Sequence, residues 1–154
     1  MANGLRLGCI KRDRIVRMSF EVFEHTADIG VRVFGRDLAE LLKNAALALL
    51  SLITEKESVR PVEEVVFEAE AETGEELLIK MLSEILYIHQ VRKMVFSEAE
   101  IELTDGYRLK GRLNGEKIDL GRHELLLDIK AATYHNLKIE RVNDRFMAEI
   151  VFDI

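Results

Sequence analysis

Hydrophobic and polar residues alternate in two short runs near the start of the chain, "SFEVFE" and "IGVRVFG". A period of two places alternate side chains on opposite faces of a β-strand, so both runs predict half-buried strands. The connection between them, "HTAD", contains His25, Thr26 and Asp28. A tight turn needs at most an Asp or a Gly, so the additional polar side chains indicate either turn chemistry or half of a binding site.

Two later segments have the period of an amphipathic helix. Asp37 is a suitable N-cap for a helix that runs to about Ile53, and apolar residues cover most of its circumference. A helix with one solvated face has an apolar stripe of little more than 100°, so this helix is expected to be covered on two sides. A second helix is predicted after Thr73, where Glu76 completes the sequence pattern of a capping box.

The remaining patterns predict mostly strands. The run "VEEVVFEAEAE" alternates, and both Asp105-Gly106 and Asn114-Gly115 are hairpin signals. Two final strands turn near Asn143-Asp144. Two helices among about seven strands predict one α+β domain, in which the helices pack with mostly antiparallel sheet layers as a β/α/β sandwich.

Composition narrows the classes of function. The chain has 154 residues, of which 48% are hydrophobic and 32% charged, as in a folded domain. Its net charge of −6 makes direct binding to nucleic acid weak at most, because such binding depends on clustered Lys and Arg. A single cysteine, Cys9, forms no internal disulfide, so a cytoplasmic location is expected. No apolar run reaches the roughly 20 residues of a membrane-spanning helix.

The first residues differ from the rest. Residues 1–17, "MANGLRLGCIKRDRIVR", are basic, follow neither period and lack the apolar core of a signal peptide. Met18 then opens a regular strand pattern. We therefore predict a loosely ordered extension over residues 1–17 and a folded domain over residues 18–154.

No phosphate loop, dinucleotide fingerprint, nucleophile elbow or zinc motif occurs in the sequence. The polar residues of interest lie at strand ends: His25, Asp28, His123, Lys130, Tyr134, His135 and Asp153. If Asn143-Asp144 is a two-residue turn, the register of its hairpin sets Asp153 opposite Tyr134. The terminal carboxylate of Ile154 is then expected beside Thr133 and His135.

A cation site is one interpretation of these strand ends. If the turn at Asp28 lies at the same end of the sheet, its carboxylate meets Asp153 and the terminal carboxylate of Ile154. Three carboxylates repel one another, and a hard divalent ion such as Ca²⁺ or Mg²⁺ would relieve the repulsion. The alternative is that Asp28 is a turn residue and Asp153 an exposed terminal residue, with His25 and His135 as structural histidines.

Four segments resemble the archease family in order and spacing. They are "FEHTADIGV", "EELL…LSEILYIHQ", "GRHELLLDIKAATYH" and the terminal "VFDI", and the resemblance extends from about Met18 to Ile154. One departure is Met81, where the family commonly has Trp, which concerns packing alone. The resemblance implies a cytosolic accessory protein, itself not an enzyme, of the RtcB-type RNA ligase in tRNA splicing.

The resemblance also implies a mechanism and a site. The accessory protein would promote guanylylation of the ligase and so permit multiple turnover. A divalent cation, most commonly Ca²⁺ with Mg²⁺ or Mn²⁺ as alternatives, would be bound by Asp28, Asp153 and Ile154. Lys130 matches a position associated with activation. Two other functions stay open: a general chaperone, and a metal-dependent hydrolase that uses His25 or His135 as its base.

Removal of residues 1–17 should leave the fold and the activity of the domain intact, because no periodic pattern connects them to it. Thermal unfolding of the full and shortened chains tests this. A fall in melting temperature of more than about 5 °C, equivalent to about 1–2 kcal/mol for a domain of this size, would show that the segment packs against the body.

Overall fold

A computed structural model describes residues 20–24 and 27–154 of the chain. The predicted extension, together with His25 and Thr26 of the first turn, lies outside these residues. The described residues form a single α+β domain with two α-helices and eight β-strands. The helices are α1 (Leu38–Ile53) and α2 (Gly74–Arg92). The strands are β1 (Phe20–Glu24), β2 (Asp28–Gly35), β3 (Glu63–Glu70), β4 (Met94–Leu103), β5 (Arg108–Lys117), β6 (Ala131–Thr133), β7 (Ile139–Val142) and β8 (Arg145–Asp153).

The described strands form two antiparallel sheets. The larger sheet has the order β1-β2-β8-β6, and β7 also pairs with β8. The smaller sheet has the order β3-β5-β4. Helix α1 contacts strands of both sheets and also contacts α2. The predicted α+β class and the packing of helices with antiparallel sheets are therefore confirmed.

Helix α1 begins where the sequence predicts, because Asp37 accepts a hydrogen bond from the backbone N–H of Glu40 at 2.9 Å. Its side chains are buried on two sides, against β2 of the larger sheet and β4 of the smaller one. Leu49 and Leu52 both have 0% exposure, whereas Leu47 is half-buried. The prediction of two-sided cover is confirmed. Although α1 is strongly apolar, no helix among the described residues is long and apolar enough to cross a membrane.

Helix α2 is capped at both ends. The Thr73 hydroxyl accepts a hydrogen bond from the backbone N–H of Glu76 at 3.1 Å, which confirms the predicted start. The Glu76 carboxylate accepts from the N–H of Glu72 at 2.9 Å, and this differs from the capping box, in which the N–H of Thr73 would donate. The helix ends at Arg92, and the C-cap residue Lys93 that follows has a left-handed φ of 54°.

The two hairpin predictions in the second half have different outcomes. Asp105-Gly106 lies in the turn between β4 and β5, and Gly106 has a φ of +60° there. The prediction for Asn114-Gly115 is wrong, because both residues lie within β5. Gly115 is paired with Phe96, next to a register shift in β4, and a β-carbon on Gly115 would collide with the backbone of β4. The glycine permits a close strand approach instead of a turn.

Truncation of either side of α1 should destabilise the domain. Leu49→Ala and Leu52→Ala should each lower the free energy of unfolding by about 2–5 kcal/mol, the range for buried leucines. Leu120→Ala is the control, because Leu120 is 76% exposed and should change it by less than about 0.5 kcal/mol. Urea unfolding measures all three. A Leu52→Ala variant as stable as the control would contradict two-sided packing.

Candidate functional site

Two aspartates are paired at one end of the larger sheet. Asp28, the first residue of β2, is paired with Asp153, the last residue of β8. Directly opposite residues of antiparallel strands project from the same face, with their β-carbons about 4.5–5.5 Å apart. The next residues, Ile29 and Phe152, are buried in the core at 1% and 0% exposure. By alternation, the two aspartates project from the outer face of the sheet.

The expected neighbour of Asp153 is wrong by three residues. Asp153 is paired with Ala131 of β6, and not with Tyr134. Strand β7 pairs with β8 in the predicted register, but the residues between β6 and β7 leave the ladder in a turn. In that turn, Asn136 has a φ of 54°, and the N–H of Leu137 donates to the Tyr134 carbonyl at 3.0 Å.

Strand β6 fixes the position of the chain end. The backbone N–H of Lys130 donates to the carbonyl of Asp153 at 2.8 Å. The Thr133 hydroxyl donates to the carbonyl of Val151 at 2.9 Å. Ile154 follows directly and is 38% exposed. The backbone of Lys130 therefore lies against the chain end, where the sequence had placed His135.

Neither Tyr134 nor His135 is paired with the aspartates. Tyr134 and His135 are exposed and follow β6 at the end away from Ala131. The ring of His135 contacts Asn136, with Nε2 3.3 Å from the side-chain nitrogen Nδ2. The expectation that His135 lies beside the terminal carboxylate is therefore wrong.

The donor set at the paired aspartates fits a hard cation. Among the residues the structure describes, no group of three or more His, Cys, Asp or Glu side chains is placed to hold a metal ion. The predicted set contains only two such side chains, those of Asp28 and Asp153. Its third member is the main-chain carboxylate of Ile154. All are oxygen donors, as Ca²⁺ and Mg²⁺ prefer. Oδ1 of Asp28 is itself buried.

Arg32, the arginine of β2 that lies on the same face as Asp28, is already bound to two carboxylates. Arg32 Nη1 lies 2.7 Å from Glu21 Oε2, and Arg32 Nη2 lies 2.9 Å from Glu149 Oε2. The hydrogen bonds that Arg32 donates to Glu149, and then to Glu21, raise the pKa of Arg32 above its usual value. Arg32 is four residues from Asp28, or about 13 Å along a strand, so it lies too far away to form an ion pair with that carboxylate.

His123, the remaining histidine of interest, belongs to a separate buried cluster around Glu116. Glu116 Oε2 accepts from His123 Nε2 at 2.9 Å and from the Arg60 N–H at 2.8 Å. Arg122 Nη2 donates to Glu116 Oε1 at 2.6 Å. The N–H of Asp119 donates to His123 Nδ1 at 2.9 Å, so the ring accepts at Nδ1 and faces Glu116 with Nε2.

This cluster stabilises a loop. The hydrogen bond from Arg122 is the main reason that the pKa of Glu116 is lowered from 4.5 to about 2, followed by that from the Arg60 N–H. The bonds join the end of β5 to residues 119–123 and to the segment before β3. The sequence identified His123 but not Glu116, because Glu116 stands in a strand, and its partners come together only in the folded chain.

The fold and this site define a class: a two-helix, two-sheet α+β domain with paired aspartates where β2 begins and β8 ends. The sequence model of the archease protein family matches residues 20–154. The chain is 43% identical to the archease of Pyrococcus furiosus, over 88% of this chain and 98% of that protein. It is 41% identical to the archease of Methanopyrus kandleri, over 89% of this chain and 100% of that protein. The chain belongs to the archease family.

Solved structures agree. The solution structure of protein 1598 of Methanobacterium thermoautotrophicum superposes with a TM-score of 0.76 at 32% identity, covering 89% of this chain and 99% of that chain. The crystal structure of an archease from Thermotoga maritima superposes with a TM-score of 0.62 at 28% identity, covering 86% and 94%. The described fold is therefore the fold of these proteins.

Replacement of Glu116 should change how stability depends on pH. A lowered pKa in the folded state means that the ionised carboxylate stabilises the fold above about pH 4.5, and that this contribution is lost as the pH falls towards about 2. The wild type should therefore exceed Glu116→Gln in stability near neutral pH, and the difference should shrink over that interval. Urea midpoints at a series of pH values measure it, with the exposed Glu57→Gln as control. Parallel curves for wild type and Glu116→Gln through the interval would contradict the cluster.

Proposed function

We propose that this chain is an accessory protein of an RtcB-type RNA ligase and acts through a divalent cation at Asp28, Asp153 and the Ile154 carboxylate. One observation carries the cation: the pairing of Asp28 with Asp153 where β2 begins and β8 ends. Family membership supports the partner, since it is the ligase implied by the archease motifs. The proposed result is guanylylation of the ligase and repeated turnover in tRNA splicing.

The donor set favours Ca²⁺, with Mg²⁺ and Mn²⁺ as alternatives. Ca²⁺ accepts six to eight oxygens in irregular geometry, whereas Mg²⁺ demands a near-ideal octahedron. Two side chains and one terminal carboxylate supply part of either set, and water would complete it. When bound, the cation would supply positive charge for phosphate oxygens of a nucleotide in the partner's site.

The strands of this chain hold the two aspartates in fixed positions. The β6–β8 pairing and the Lys130 N–H hold Asp153, while β2, which begins with Asp28, pairs with β8 along its length. A rigid pair of ligands at the end of a sheet can be placed beside a partner's reacting groups with little loss of entropy. The chain would thus assist chemistry that the ligase performs.

Neither alternative function gains support from the described residues. A hydrolase needs a base beside its ligands; His135 lies away from Asp153, and His25, the other base considered, lies outside the described residues. A chaperone needs a large apolar patch. The Thermotoga maritima relative is described as a possible chaperone. Here the large exposed apolar residues lie before β3 (Val62), on α2 (Tyr87, Val91) and in the loop after β5 (Leu120, Leu125).

Loss of either aspartate should abolish activation of the ligase. Asp28→Asn and Asp153→Asn each remove a charged ligand. We expect each to lower the stimulation of multiple-turnover ligation by the cognate ligase by at least about tenfold. Glu57→Gln and Glu102→Gln, at exposed sites outside the pair, are matched controls for loss of one negative charge. Circular dichroism should show an unchanged fold in all four variants. Full stimulation by both aspartate variants would contradict the proposal.

An added tail should weaken binding of the cation. Several residues appended after Ile154 convert the terminal carboxylate to an amide and crowd the site, so calorimetric titration with Ca²⁺ should show a higher dissociation constant. The same tail attached ahead of Phe20 is the control. Equal Ca²⁺ affinity in the tailed and native chains would exclude the terminal carboxylate as a ligand, even if both aspartates are needed.

A further inference from the structure

A cleft of about 750 Å³ lies between α2, the edge strand β3 and the turn after β6. Two tyrosines line it, Tyr87 from α2 and Tyr134 from the turn, with 60% and 56% of their surfaces exposed. Ala69 and Ile79 contribute its apolar lining. Aromatic rings beside apolar residues in a cleft are typical of a surface that binds a ligand.

The positively charged side chains of the cleft already have partners, whereas two of its carboxylates have none among the described residues. The cations that line it are Lys80 and Arg108, and both are bound to Glu70: Arg108 Nη2 lies 2.8 Å from its carboxylate, and Lys80 Nζ lies 3.0 Å from its carbonyl. Glu68 and Glu84 also line the cleft. Neither forms an ion pair or a side-chain hydrogen bond with another described residue.

Two available carboxylates and two exposed tyrosine rings favour a cation over an anion. A guanidinium matches both features, since its planar face stacks on aromatic rings and its N–H groups bind carboxylates in pairs. An ammonium group provides the charge without the plane. A phosphate chain would meet Glu68 and Glu84, while the lysine and arginine of the cleft are already engaged with Glu70.

We propose that this cleft binds an arginine side chain carried on an extended segment of a partner protein. The edge strand and the helix leave the cleft open along its length, which suits a segment better than a folded surface. The cleft is also close to the acidic strand ends: Tyr134 is three residues from Ala131, or at most about 11 Å, and Ala131 is paired with Asp153. The proposal does not require a cation at those ends.

Titration of the ¹⁵N-labelled chain with peptides tests the proposal. The probe is acetyl-Gly-Arg-Gly-Arg-Gly-amide, compared with the same peptide carrying lysine and with a single-stranded oligouridine. We expect the arginine peptide to shift amide signals of residues 68–70, 79–87 and 134. It should bind about threefold more tightly than the lysine peptide, because of stacking on the tyrosines.

Matched variants separate the cleft from general charge attraction. Tyr87→Leu and Glu84→Gln should each weaken binding of the arginine peptide by about threefold or more. Tyr107→Leu and Glu57→Gln, which alter the same residue types outside the cleft, should leave it unchanged. Equal binding of the two peptides, equal loss in the control variants, or shifts of the cleft signals by oligouridine alone would each overturn the proposal.

Discussion

The pairing of β2 with β8 is the interaction on which the rest of this structure depends. It joins residues 28–35 to residues 146–153 along their whole length, and it lies in the middle of the larger sheet. One face of the pair buries Val31, Ile150 and Phe152 in the core. A shift of one residue would turn that face outward and turn the aspartates inward. The core therefore selects the register that places Asp28 beside Asp153.

Packing against the second sheet stabilises the register of β2 and β8. Helix α1 is buried against β2 on one side and β4 on the other, so movement of β2 would disturb two layers of close-packed side chains. Near its end, β8 also pairs with the short strand β6, and the backbone N–H of Lys130 just before β6 holds Asp153. Charged residues can be presented together at such a sheet end because packing elsewhere fixes the strands that carry them.

Much of this arrangement could be predicted from the sequence, and the exceptions have physical causes. The caps at Asp37 and Thr73 and the apolar circumference of α1 are local signals, so the helices were placed correctly. Asn114-Gly115 has the composition of a turn, but the need for a glycine came from a bulge in the neighbouring strand. That need depends on tertiary contacts, which a local pattern does not contain.

Part of the candidate site could likewise be predicted from the sequence, and part could not. Asp28 and Asp153 were expected to meet from strand order and family motifs, whereas the neighbour of Asp153 on β6 was wrong because the turn at residues 134–138 removes residues from the ladder. That turn also carries Tyr134 to the cleft beside α2. The cluster of Glu116 and His123 joins three separate segments, and no spacing in the sequence indicates it.

The most direct test of the account is the location of a bound ion. Mn²⁺ broadens the amide signals nearest to it, so titration of the ¹⁵N-labelled chain at low Mn²⁺ reports where the ion binds. The account predicts the strongest broadening at residues 28–30, 130–132 and 152–154, with competition by Ca²⁺ restoring the signals. Broadening centred on the exposed acidic residues of β4, such as Glu98 and Glu100, or spread evenly over the surface, would contradict it.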